Sequence, residues 1–97
     1  MASIIEIEKY GPSSVLTYKT RSMSKPKAGE VQIKNLAIGV NYHDVYVRSG
    51  LYKTLTLPGI PGCEASGVIE KIGKNVDGFE EGERVTYLTR EYGAYST

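Results

Sequence analysis

The chain has 97 residues, is 40% hydrophobic and 24% charged, and carries twelve Lys and Arg against eleven Asp and Glu, a net charge of +1. That length supports one small domain, which buries roughly 60–65% of its unfolded surface; its mixed, nearly balanced charge excludes the basic stripe of a nucleic-acid binder, and no apolar run approaches the ~20 residues of a membrane span. A single cysteine, Cys63, excludes an internal disulfide, and the opening MASIIEIEKY lacks the basic-then-apolar pattern of a secretory signal, so a cytoplasmic protein is expected.

Ser3 to Glu8 alternates like a short strand and is punctuated by Gly11-Pro12. Val15 to Arg21 alternates again, and Ser22 to Gly29 reads as a loop. Val31 to Gly39 predicts a strand with Val31, Ile33, Asn35 and Ala37 on one face and Lys34, Leu36 and Ile38 on the other. Asn41 to Ser49 has neither Gly nor Pro and predicts two helical turns ended by Gly50. Leu51 to Gly62 is a long loop, Ala65 to Ile72 a strand, Gly73 to Gly78 a turn, and Arg84 to Leu88 a further strand. Ala94 to Thr97 reads as an unfinished strand whose free edge would pair with another copy of the chain. Short strands, Gly-rich turns and one small helix predict a mainly β fold, a barrel or sandwich. No long amphipathic helix supports a doubly wound sheet.

The first motif is Asn41-x-x-Asp44-x-x-x-Arg48-x-Gly50-x-Tyr52. On a helix, Asn41, Asp44 and Arg48 share a face. Asn41 suits the N-cap, and Asp44 and Arg48 have ion-pair spacing. These mechanics alone describe a capped, salt-bridged helix, with Tyr42 and Tyr46 sharing another face that would pack on the barrel.

The second motif is Pro61-Gly62-Cys63-Glu64-Ala65-Ser66-Gly67. Cys63 reads as a small buried residue rather than a nucleophile, since no base is matched to it. Glu64 reads as a buried, hydrogen-bonded carboxylate with a structural role. Gly67 inside a strand signals close approach of another backbone. One Cys and one His cannot build a zinc site of the usual kind, so His43 reads as a solvated or hydrogen-bonded helix residue. The third motif, Ile72-Gly73-x-x-Val76-x-x-Phe79-x-x-Gly82-Glu83-Arg84-Val85, places glycines in turns and offers Val76, Phe79 and Val85 to the core.

With these motifs in order, nearly the whole chain resembles the N-terminal domain of zinc-free medium-chain dehydrogenases/reductases, closest to NADPH:quinone oxidoreductases of the zeta-crystallin type. The resemblance implies a GroES-like, partly open β-barrel over residues 1–97 that serves as catalytic and substrate domain. It implies NADPH as cofactor, no zinc, and a quinone-like small molecule as substrate. By the same resemblance Asn41 lies beside the nicotinamide, with Tyr46 next to it, and Tyr46 and Tyr52 line the quinone pocket. Hydride transfer to a quinone needs stacking, orientation and a dry cleft rather than a strong acid or base. The family usually has Asp where this chain has Glu83, which is expected to loosen that turn. The glycine-rich phosphate loop of a Rossmann domain has no counterpart in these residues. A chain limited to them is therefore expected to be inactive as a reductase. The alternative expectation is a stand-alone binding or structural barrel that self-associates.

Overall fold

The computed structural model describes all 97 residues. Strand β1 (Ala2–Glu6) is followed by a single 3-10 turn (Ser13–Val15) and β2 (Thr17–Arg21); then come β3 (Val31–Ile38), helix α1 (Tyr42–Ser49), β4 (Glu64–Ile72) and β5 (Arg84–Leu88). Two antiparallel sheets result, β1-β2 and β3-β4-β5, so the expected mainly β, partly open architecture with one short helix is what forms. The helix has eight residues, and no helix is long and apolar enough to cross a membrane.

In β1 the alternation places Ala2, Ile4 and Glu6 inward. Glu6 is tolerated there because Lys19 and Arg21 of β2 reach its carboxylate at 2.7 and 3.4 Å. The Lys19 hydrogen bond holds the Glu6 carboxyl below its ordinary range.

The alternation expected for β3 holds only to Asn35. A register shift lies between Asn35 and Ala37, so Ala37 is exposed and Ile38 half-buried. An extra residue reverses the faces of everything beyond it. Gly67 lies opposite Asn35, and a Cβ there would collide with the Lys34 carbonyl and the Asn35 backbone, as its place within a strand predicted.

The Ala94–Thr97 segment is not a free edge. Ile5 N–H donates to the Tyr95 carbonyl and Thr97 N–H to the Ser3 carbonyl, both at 2.9 Å, so the segment runs antiparallel to β1. It also reaches β3, where the buried Asn35 side chain donates to the Ser96 carbonyl at 2.8 Å and the Asn35 N–H donates to the Thr97 carbonyl at 3.2 Å. Tyr87 O–H completes this knot by donating to Asn35 Oδ1 at 3.1 Å. Backbone groups that would otherwise recruit another strand are thus satisfied within the chain. The open edges that remain are the outer sides of β2 and β5.

Under α1, Ile7, Val47 and Leu55 form a buried cluster with Val15, Leu57 and Tyr92 around it. Val47 is wholly buried, and a side chain of its class contributes about 1.5–3 kcal/mol when withdrawn from water. The third motif contributes less core than expected. Phe79 is 49% exposed and Val76 and Val85 are half-buried, because no residue from Glu70 to Gly93 is fully buried. Glu83 takes part in closing its turn. Its carboxylate accepts the Glu80 N–H at 2.6 Å, while its carbonyl accepts the Ile69 N–H at 2.9 Å.

Candidate functional site

Helix α1 is capped as its sequence predicts. Asn41 is extended at φ −123° and ψ 156°, and its N–H donates to Asp44 Oδ2 at 3.0 Å. At the other end Gly50 takes φ 88°, a left-handed conformation suited to glycine, with Tyr10 packed close above it.

Asp44 and Arg48 form no ion pair; the chain's salt bridges join Lys19 to Glu6 and Glu8, and Arg21 to Glu6. Asp44 instead turns inward and is only 4% exposed. Besides the Asn41 N–H, it accepts Tyr95 O–H at 2.8 Å and the Cys63 thiol at 3.6 Å. A buried carboxylate is tolerated when donors surround it, and three donors from three segments do so here. Burial and then the Asp44 bond push the Tyr95 phenol well above its ordinary range. Burial, then the Asp44 charge, pushes the Cys63 thiol up as well. Both groups stay protonated as donors. Cys63 is half-buried rather than buried, and a raised thiol is a poor nucleophile. Glu64 is exposed and its carboxylate has no hydrogen-bond partner, contrary to expectation, because the strand alternation turns Ala65 inward and Glu64 out.

On the outer side of α1 the aromatic side chains form a row. Ring centroids lie 6.4 Å apart for Tyr42–Tyr46, 5.6 Å for Tyr46–Tyr52, 5.7 Å for Tyr52–His43 and 6.1 Å for His43–Tyr92. Tyr46 and Tyr52 meet edge to face, a favoured arrangement. Tyr52 N–H donates to the Tyr46 carbonyl at 3.2 Å, which folds the chain back after Gly50 and brings the two rings together. Both are solvent-accessible, at 39% and 46%.

Of the three residues singled out from sequence, Tyr46 and Tyr52 are therefore adjacent. Asn41 is exposed at the start of the same helix, tied by its backbone to Asp44. Sequence reasoning missed Tyr92 and Tyr95; the only available signal was a tyrosine count of eight, with two of them in this segment. His43 is hydrogen-bonded as expected, with Nε2 at 3.4 Å from the Tyr92 hydroxyl oxygen. No three His, Cys, Asp or Glu side chains gather in a way that could hold a metal.

The row is a wall rather than a cavity. A hollow of about 660 Å³ opens between β3 and the Met23–Pro26 loop, and of the row's rings Tyr92 alone lines it. A wall of exposed rings can stack a planar ligand without dictating its outline. The first turn of α1 already holds the Asp44 carboxylate, so this helix N-terminus does not suit a pyrophosphate.

Residues 27–95 match the alcohol dehydrogenase GroES-like domain. Quinone oxidoreductase of Salmonella typhimurium is 42% identical over 97 residues, covering 100% of this chain and 30% of that protein. The solved quinone oxidoreductase of Pseudomonas syringae superposes with a TM-score of 0.92 at 42% identity, over 99% of this chain and 30% of that one. The Escherichia coli quinone oxidoreductase, solved in complex with NADPH, superposes with a TM-score of 0.91 at 37% identity, over 98% of this chain and 30% of that one. The chain thus spans about 30% of the length of these relatives.

Proposed function

Taking as premise that this chain belongs to the alcohol dehydrogenase GroES-like domain family, we propose that it is the substrate-binding part of an NADPH-dependent quinone or enone reductase. The observation that carries this reading is the exposed, edge-to-face pair of Tyr46 and Tyr52. Its support from relatives is that similar proteins of known name are quinone oxidoreductases, one of them solved with NADPH.

The role of each residue follows from its position. Tyr46 and Tyr52 offer flat, accessible faces and edges on which a quinone ring is held and oriented. Asn41 offers an exposed amide, both donor and acceptor, at the head of the helix. It and Tyr46 would hold the nicotinamide end of NADPH. The ring wall fits that planar end, whereas the α1 N-terminus, occupied by Asp44, does not fit the phosphates. NADPH when bound supplies the hydride, and the new hydroxyl takes its proton from a tyrosine hydroxyl or water. These 97 residues alone are expected to have no reductase activity, because they lack a phosphate cradle. The proposal places the protein in the cytoplasm and puts no zinc at the site.

The test is NADPH consumption by the protein at its full natural length, with benzoquinone as acceptor. Tyr46→Ala and Tyr52→Ala should each lower kcat/KM about tenfold, the scale of one lost aromatic contact. Asn41→Ala should lower it too. Wild-type rates in all three variants, or no turnover by the wild type, would remove this reading.

A further inference from the structure

The ring row has unlike ends. Tyr42 and Tyr46 close one end with phenol rings alone. The other ends in a polar relay, in which His43 Nε2 lies 3.4 Å from the Tyr92 hydroxyl oxygen and that hydroxyl bonds Thr54 Oγ1.

Tyr92 is held in place at a cost. Its φ is 63°, a left-handed conformation that a bulky residue rarely adopts. Three contacts offset this: the stack on His43, the bond to Thr54, and the packing of its underside on Ile7, Val47 and Leu55. His43 itself lies against Tyr52 on one side and Tyr92 on the other, with interplanar angles of 40° and 17°. The imidazole is fixed, yet exposed. Strain at Tyr92 and a fixed imidazole beside the candidate substrate wall are two separate observations on one spot.

We propose that His43 and Tyr92 form a hydrogen-bonding subsite at the end of the ring wall, which selects planar ligands carrying an oxygen at the edge remote from Tyr46. This rests on the proposed function and narrows its substrate class to planar rings that carry an oxygen at that far edge. A ring lying along Tyr46 and Tyr52 reaches the relay with its far edge. There a carbonyl oxygen accepts from the imidazole N–H or from Tyr92 O–H. Both donors are exchangeable, and the Thr54 hydroxyl satisfies the phenol from behind, so the relay adjusts to a carbonyl or a hydroxyl without moving a ring.

The test is calorimetric binding to the full-length protein of two probes that differ only in ring oxygens, anthraquinone sulfonate and anthracene sulfonate. His43→Phe keeps the stack and removes the donor; Tyr92→Phe removes the phenol oxygen. Each should weaken the quinone probe about fivefold to tenfold, the scale of one hydrogen bond, and leave the anthracene probe unchanged. His43→Gln, which keeps a donor, should restore most of the loss. Tyr52→Ala should weaken both probes, as a shared wall requires. Equal effects of His43→Phe on both probes, or none on either, would overturn the subsite. Quinone turnover is read separately. A wild type that reduces no quinone but shows the oxygen-dependent binding pattern refutes the reductase reading and keeps the subsite. Turnover without that pattern does the reverse.

Discussion

Tyr95→Phe removes one hydroxyl, the donor to Asp44 Oδ2 at 2.8 Å, and leaves the ring that packs over Gly62. A hydrogen bond to a charged group contributes about 1.5–3 kcal/mol, and because Tyr95 is only half-buried we take about 1–2 kcal/mol. At a urea slope of about 1 kcal/mol per M for so small a chain, the midpoint should fall by about 1–2 M. The pH dependence is a second signature. The phenol's ordinary pKa is 10.0 and the folded value lies above it, so the bond's stabilisation is complete below about pH 10 and fades as pH rises further. Wild type should therefore lose its advantage over Tyr95→Phe in alkali. The assay is urea unfolding of both chains followed by tyrosine fluorescence, at neutral pH and again in alkali. A double-mutant cycle with Asp44→Asn isolates the pair. Coincident midpoints at neutral pH, or additive losses in the cycle, would refute the reasoning that this bond stabilises the fold through the buried Asp44 carboxylate.

Two further predictions follow from packing and protonation. Gly67→Ala should cost about 2–3 kcal/mol, since the new methyl meets the Lys34 carbonyl and nothing flexible can yield; calorimetry should show a drop in Tm of more than about 8 °C. Cys63 should react with iodoacetamide more slowly than a free thiol at mildly alkaline pH, and Asp44→Asn should accelerate it, because burial and the Asp44 charge both oppose the thiolate; rates of mass gain decide it.

Local features were legible in the sequence wherever the determinant was local. Asn41 and Gly50 delimit α1 within a residue, because cap chemistry acts on adjacent backbone. The span of β5 matches its apolar run, and Gly67 announced a backbone contact. The failures share a cause too. Four-residue spacing marked Asp44 and Arg48 as partners, but spacing is silent on burial, and Asp44 found Tyr95 fifty-one positions away. The β3 bulge was hidden because an inserted residue leaves a hydrophobic run looking continuous. Tyr46 and Tyr52 were picked out by resemblance, whereas Tyr92 entered the row through a left-handed turn that its own side chain disfavours.

The knot around Asn35 has a bearing on how the molecule is made. Ser3 is bonded to Thr97, 94 positions away, so the first strand emerges from the ribosome long before the segment that covers it. During that interval β1 can pair with β2, its near neighbour, but the two sheets remain separate bodies. Separation this large slows closure more than it weakens the closed state. Over that interval Ile4 and Ile5 lack the cover that Ser96 and Tyr95 give them in the finished fold. A nascent chain stalled before Ala94 would be the one a chaperone holds.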